Sequence, residues 1–201
     1  MSWRNVLLRL FAVWLLASAA ASWLARPLVG PLLPIAGTLL EALLPGCDAR
    51  LGFAGPARDA QILGRFTLRE SIAFTERIAI HRGETLELRV GLAHQAVPIV
   101  ILVAAWCALP FASWRERAIS AALGLALAEL LAVTLLSVQF AGLVELSFER
   151  SRDPFGIANP PDLLLMTMIF LESGGRWLVP IVLAGLCRAA LVRRASSTGK
   201  T

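Results

Sequence analysis

Charged residues are scarce in this sequence of 201 residues: they make up 16% of the chain, against 57% hydrophobic residues. A soluble domain usually contains roughly 25% charged residues. A chain of this size also has too little interior to bury so much apolar surface away from water. The composition therefore excludes a water-soluble domain and predicts a protein of the lipid bilayer.

Several signatures of catalysis and ligand binding are also missing. The cysteines, Cys47, Cys107 and Cys187, have no CxxC spacing, and two histidines do not form a recognisable zinc pattern. The sequence contains no P-loop, GxSxG, HExxH or dinucleotide-binding fingerprint, and no internal repeat of the transporter type. Lysine occurs once, at Lys200, and no basic run is interleaved with aromatic residues. We therefore expect no metal, no cofactor and no nucleic-acid partner.

Long apolar runs are what the sequence does contain. About 20 helical residues cross a hydrocarbon core of about 30 Å, and the runs predict a membrane α-helical fold with about four transmembrane helices. These are an N-terminal anchor in residues 1–26 and, in a helical membrane bundle of residues 95–201, spans at about 96–112, 118–140 and 163–192. A cleaved signal peptide is the alternative for the anchor. The last run is one long helix, or a short outer helix followed by a span.

Two segments between the anchor and the bundle have a different character. Residues 27–46 are apolar but carry several prolines, which favours a kinked interfacial or re-entrant helix, with a second true span as the alternative. Residues 47–94 contain period-two alternation, clearest in Leu86–Leu92, and Gly83 suits the positive φ of a hairpin turn. We expect a small extracytoplasmic antiparallel β-meander of two or three strands, which is marginal without further packing.

The charges predict the orientation of the chain. If the N-terminus lies inside, eight basic residues and one acid, Glu116, fall in the short inside segments, while the outside segments are nearly neutral. An excess of basic residues in short cytoplasmic loops is typical of membrane proteins. This predicts a multi-pass protein of the bacterial inner membrane with both termini cytoplasmic and residues 47–94 extracytoplasmic.

Glu129 is the most informative single residue. It lies near the midpoint of the predicted span 118–140, where an ionised carboxylate costs on the order of 2.5–3.5 kcal/mol and rarely faces lipid. Gly124, Ala128 and Ala132 form a stripe of small residues that lets helices approach closely. This pattern favours a helix-contact role for Glu129, with proton-coupled transport as the alternative.

Two further groups of residues are candidate sites. Glu172 and Arg176 are four residues apart, in the order that favours a helical ion pair at the membrane interface, with a ligand site as the alternative. Cys47 is a possible thiol nucleophile if Arg50 and either His81 or His94 approach it in the fold. The alternative for Cys47 is an interfacial cysteine without a catalytic role, and for His94 an interfacial hydrogen-bonding residue.

The order of these segments resembles a known family. An N-terminal anchor, the proline-rich stretch Arg26–Pro34, a β-rich segment ending in Leu86–Val90, and three spans with an arginine-rich tail resemble the small membrane proteins associated with bacterial exosortases, especially the exosortase H-associated type. The resemblance implies an accessory role in sorting or processing envelope proteins, with an exosortase-like membrane protein as partner. Exosortases themselves use a membrane-embedded cysteine with arginine and histidine, and Cys107 and Cys187 lack that surrounding motif.

We therefore expect an accessory or scaffold protein of the inner membrane rather than an enzyme. It would act through protein–protein contacts with its membrane partner within the lipid bilayer. The two alternatives are a membrane-embedded thiol enzyme that uses Cys47 and a transporter subunit that uses Glu129.

Overall fold

The structure, a computed structural model, describes residues 3–56, 60–73, 79–108, 114–152 and 162–198. The helices within these residues are α1 (Trp3–Val29), α2 (Leu33–Leu43), α3 (Leu92–Ala108), α4 (Trp114–Arg152), α5 (Leu163–Phe170) and α6 (Arg176–Thr198). The strands are β1 (Cys47–Ala54), β2 (Gln61–Leu68), β3 (Ile72–Ala73), β4 (Ala79–Ile80) and β5 (Thr85–Gly91). A π-helical turn, Leu171–Gly175, joins α5 to α6.

A three-stranded antiparallel sheet in the order β1-β2-β5 packs by one face on α2 and α4. The alternation of strand side chains separates the two faces of the sheet. Ile62 and Phe66 of β2 are fully buried with Leu40 of α2 and Phe140 of α4, whereas Arg65 points outward. The principal hydrophobic core therefore lies between the sheet and these two helices.

The helix α4 is long enough to serve both the core and the helical bundle. Its 39 residues correspond to roughly 58 Å, and it continues past Phe140 to Arg152. Val144 and Phe148 in this extension pack in the core beneath the sheet. The predicted span ended at Phe140, whereas the helix continues, because its apolar residues beyond Phe140 are covered by the sheet.

The prediction of about four transmembrane helices is wrong. Among the described residues, two helical runs are long and apolar enough to cross a membrane, Ala122–Arg150 and Leu163–Cys187. The number becomes three if the bent pair of segments Leu7–Ala20 and Ala25–Leu43 forms one span. The chain is therefore compatible with a membrane protein that has fewer spans than its apolar runs suggest.

Helix length and bending explain the missing spans. The apolar part of α3, Leu92–Trp106, has 15 residues and measures about 22 Å, which is short of a hydrocarbon core. It contacts α1, α4 and α6, so its apolar surface packs largely against protein. The segments Leu7–Ala20 and Ala25–Leu43, the second of which continues into α2, meet at 88°. Pro27 in the second segment favours a bend here, because it cannot donate to the carbonyl of Trp23 and its ring crowds that turn.

The β segment differs from the expected meander in its pairing. Gly83 has the predicted positive φ, at 86°, in the turn before β5. That turn does not close a hairpin, because β4 pairs with β3 whereas β5 pairs with β2. The strand β1 was not predicted, because aspartate and glycine are weak strand formers, although its apolar residues alternate with Asp48, Arg50 and Gly52 at the period of a strand. Residues 74–78 of the expected meander lie outside the described residues.

Candidate functional site

Polar side chains from three parts of the fold meet where α3 begins and the α5–α6 helix is broken. We call His94, Gln95, Gln139, Glu172 and Arg176 the polar cluster. His94 and Gln95 lie in the first turn of α3, Gln139 lies on α4, Glu172 lies in the π-helical turn, and Arg176 begins α6. Gln95, Gln139 and Arg176 are 5%, 7% and 6% exposed. These are buried polar groups, so they need partners within the protein.

The hydrogen bonds of the polar cluster converge on one carboxylate oxygen. Glu172 Oε1 accepts from Gln139 Nε2 at 2.7 Å and from Arg176 NH2 at 2.6 Å. Gln95 Nε2 in turn donates to Gln139 Oε1. A carboxylate that accepts from both an amide and a guanidinium compensates the burial of the arginine charge. The chain Gln95–Gln139–Glu172 also ties α3, α4 and the π-helical turn together.

The main-chain carbonyl of His94 is a further partner for Arg176, and a proline leaves it available. Pro98 has no N–H, so the carbonyl of His94, four residues earlier in α3, loses its helical donor. Arg176 NH1 donates to this carbonyl at 3.1 Å. The His94 ring lies on the open side of the polar cluster, with Nε2 3.5 Å from Glu172 Oε2.

The break between α5 and α6 depends on two glycines. Gly174 has φ 130° and ψ −13°, a conformation that side chains disfavour. A Cβ at Gly175 would lie 2.4 Å from the ring of Phe170. The ion pair of Glu172 and Arg176 therefore lies in the middle of the apolar run Leu163–Cys187, at a break that only glycine permits.

Sequence reasoning singled out Glu172, Arg176 and His94 but missed Gln95 and Gln139. A neutral amide within an apolar run has no characteristic spacing, so nothing in the local pattern distinguishes these two glutamines from other polar residues. The signal that could have identified them is their position in an apolar run, because an uncharged amide there needs a hydrogen-bond partner.

The structure does not assemble the thiol site. Cys47 is 3% exposed on the inner face of β1, while Arg50 points to the opposite face. Burial raises the pKa of the Cys47 thiol, Glu145 raises it further, Arg69 lowers it and Asp48 raises it. His81 lies exposed in the turn before β5, and His94 belongs to the polar cluster. A protonated, buried thiol is the opposite of an activated nucleophile.

Cys47 nevertheless borders a cavity of about 150 Å³ between the sheet and the carboxyl end of α4. Its lining is formed by Cys47, Phe66, Leu68, Glu84, Thr85, Leu86, Ser147 and Phe148. Elsewhere, the described residues contain no group of three or more histidine, cysteine or acidic side chains that could hold a metal ion.

Glu129 and the small-residue stripe point in different directions. Gly124, Ala128 and Ala132 are buried, and the ring of Trp106 on α3 lies 3.2 Å from where a Cβ at Gly124 would be. The Glu129 side chain is exposed on another side of α4. Within the described residues it forms no ion pair. The helix contact predicted for Glu129 stays a prediction.

A comparison with known proteins found no matching protein family, no similar curated protein and no similar solved structure.

Proposed function

We propose that the protein is a membrane accessory protein that holds a partner membrane protein, and that this partner belongs to an envelope protein-sorting system of the exosortase type. The first part is supported by the surface around Glu129. The second part is supported by the order of segments along the sequence. The protein acts by contact with that partner.

The observation that carries this proposal is the position of Glu129 on an apolar helix surface. Glu129 lies within the candidate span Ala122–Arg150, and its neighbours Leu125 and Leu130 are 60% and 63% exposed. An ionised carboxylate that faces hydrocarbon costs at most on the order of 2.5–3.5 kcal/mol, the value for the centre of a span. A partner helix with a hydrogen-bond donor opposite Glu129 would remove that cost.

The same surface has the shape that a second helix requires. Ala122 and Ala126 are exposed beside Glu129 and are four residues apart. Small residues at this spacing let two helix backbones approach closely in a bilayer. One turn further along α4, Val133 is buried with residues of α2. The same side of α4 therefore already packs on a helix next to its exposed part.

The competing functions have less support. A thiol enzyme needs an accessible thiolate, whereas Cys47 is buried and burial raises its pKa. The polar cluster is held by hydrogen bonds among its own members, which is typical of a group that fastens helices. The polar cluster therefore supports the interpretation of the protein as a scaffold that presents the Glu129 surface.

Co-expression with an exosortase-type protein from the same genome tests the proposal. We expect the two proteins to copurify in mild detergent, and Glu129→Leu to reduce the captured partner about fivefold, because leucine cannot accept an intramembrane hydrogen bond of about 1 kcal/mol. Glu149→Leu is the matched control, because it removes a carboxyl group from the carboxyl end of the same helix. Equal capture by wild type and Glu129→Leu would refute the role of this surface. Failure of wild type to capture the partner would refute the partner class.

We also propose that the protein lies in the bacterial inner membrane with its N-terminus in the cytoplasm and the sheet outside, the bent pair Leu7–Ala20 and Ala25–Leu43 forming one span between them. The basic residues Arg4 and Arg9 near the start of the chain support a cytoplasmic N-terminus. Because two candidate spans follow the sheet, the C-terminus then lies on the side of the sheet.

Cys47 is too buried to report this orientation, but Arg82 is exposed in the turn before β5. In a chain whose own cysteines are replaced, Arg82→Cys should react with a membrane-impermeant maleimide in intact spheroplasts. Reaction only after lysis would reverse the orientation.

A further inference from the structure

The outer face of the sheet is rich in arginine. Strand alternation places Arg50 of β1, Arg65 of β2 and Arg89 of β5 on the side away from α2 and α4, and all three are exposed. We call these three side chains, with Gly52 and Leu63 between them, the arginine face. It lies on the opposite side of the sheet from Cys47 and its cavity.

The pairing of the strands leaves positive charge uncompensated on the arginine face. Arg50 lies directly opposite Arg65, and two like charges at such a position destabilise a sheet. Arg65 is neutralised by Glu87 on its other side, with Nε 2.8 Å from Oε1. Arg50 and Arg89 have no ion pair among the residues that the structure describes.

An open notch lies among these arginines. Gly52 of β1 pairs with Leu63 of β2, and Leu63 pairs on its other side with Arg89 of β5. A Cβ placed on Gly52 would meet nothing within 4 Å. Leu63 is half-buried, so the notch offers an apolar floor with guanidinium groups at its rim.

We infer that the arginine face binds an acidic peptide segment of a partner protein, with a glutamate or aspartate carboxylate at Arg50 and Arg89 and an apolar side chain over Gly52 and Leu63. Guanidinium groups match the planar geometry of carboxylates. A carboxylate there also removes the repulsion between Arg50 and Arg65. This contact lies outside the Glu129 surface and does not depend on it.

The direction of the arginine face favours a peptide over lipid headgroups. The opposite face of the sheet packs on α4, which contains a candidate membrane span. The arginine face is therefore turned away from the helices that would enter the bilayer. A rigid sheet surface also presents charges at fixed spacing, which suits an extended peptide.

Fluorescence anisotropy with the full chain in phosphatidylcholine nanodiscs tests the inference. The probe is a labelled eight-residue peptide of alternating leucine and glutamate, and the same peptide with lysine in place of glutamate is its control. We expect the glutamate peptide to bind and the lysine peptide not to bind. Arg50→Gln and Arg89→Gln should each raise its Kd about fivefold, the upper range for an exposed ion pair. Arg82→Gln, which removes an exposed arginine outside the face, should leave Kd unchanged.

Gly52→Val separates binding from folding. The new side chain has free space around it and suits a strand, so the Tm should be unchanged or higher. It fills the notch, so the Kd should rise. Wild-type Kd values in Arg50→Gln, Arg89→Gln and Gly52→Val would overturn the inference. So would loss of peptide binding when phosphatidylglycerol replaces part of the phosphatidylcholine, because the face would then be a lipid-binding surface.

Discussion

Gly64 shows how a single residue sets the distance between the sheet and α4. A Cβ at this position would lie 2.7 Å from Cε1 of Phe140 and 2.7 Å from Cε2 of Phe66. Those two rings pack with their centroids 5.8 Å apart, and both are almost fully buried. Neither ring has room to move, so any side chain at Gly64 would push the sheet away from the helix.

We therefore expect Gly64→Ala to lower the free energy of unfolding by about 1–3 kcal/mol, the usual cost of overpacking a core. The measurement is unfolding of the full chain in mixed micelles with increasing SDS. Gly52→Ala is the control in the same sheet, because it has free space, and its effect should stay within about 0.5 kcal/mol. Equal effects of the two substitutions would contradict the close approach at Gly64.

The thiol of Cys47 predicts a specific loss of stability in alkali. Its pKa is raised in the folded protein from an ordinary value of 9.0, first by burial and next by Glu145. Above pH 9 the unfolded chain therefore ionises this thiol while the folded chain keeps it protonated. The free energy of unfolding should fall as pH rises, by at most about 1.4 kcal/mol per pH unit.

The composition makes this effect measurable, because the chain has no tyrosine and its lysine is Lys200 alone. Unfolding titrations between pH 8 and 10.5 should show the fall in wild type and in Cys187→Ala. The slope should disappear in Cys47→Ala, even if that variant is less stable at every pH. A slope that is unchanged in Cys47→Ala must come from another group and would show that the Cys47 pKa is not raised.

At the scale of helices, the polar cluster explains how a broken helix stays attached to the bundle. Arg176 is buried at the first residue of α6, and its charge is compensated by Glu172 and the carbonyl of His94. Removing one partner of a buried ion pair costs more than replacing both, because the remaining charge stays buried. A comparison of single and double variants therefore shows whether Glu172 and Arg176 stabilise the fold as a pair.

We expect Glu172→Leu to destabilise the full chain by about 2–3 kcal/mol, since Arg176 then lacks its carboxylate; the loss is smaller than for a fully buried pair because the Glu172 side chain is 38% exposed. The double variant Glu172→Leu with Arg176→Met should recover stability to within about 1–2 kcal/mol of wild type, the remainder reflecting the lost acceptor of Gln139. Unfolding in SDS mixed micelles for the two single variants and the double variant gives the coupling energy. Additive losses would mean that the two side chains do not interact.

Elements were predictable from sequence where one periodicity ran without interruption. The alternation in β5 identified its exposed residues, and Gly83 identified its turn. The strand β1 was missed because its partner, β2, stabilises a sequence with weak strand propensity. The end of α4 was misplaced because burial beneath the sheet, a tertiary contact, decides whether residues after Phe140 stay helical. The two glutamines of the polar cluster meet across 44 residues of sequence, a distance that local patterns do not cover.

At the scale of the whole molecule, the sheet and the helices form one core. Ile62 and Phe66 of the sheet are 0% and 1% exposed, and their neighbours include Leu40 of α2 and Phe140 of α4. A sheet of three short strands is marginal without such packing. The sheet is therefore a layer of the same fold as the helices, and its described residues share one core with them.

A peptide of residues 47–94 should accordingly be unfolded in water. Its inner-face side chains would be exposed once α2 and α4 are removed, and a chain of this size buries too little surface to offset its conformational entropy. We expect narrow amide dispersion in its proton–nitrogen NMR spectrum, whereas β2 amides in the full chain should resist hydrogen exchange longer than those in the turn at Gly83. A dispersed spectrum for the isolated peptide would show that the sheet is an independent domain. In that case the stability of the sheet would not depend on its packing against α4, and Gly64→Ala would no longer be expected to destabilise it through that packing. The two experiments therefore test the same packing in different ways.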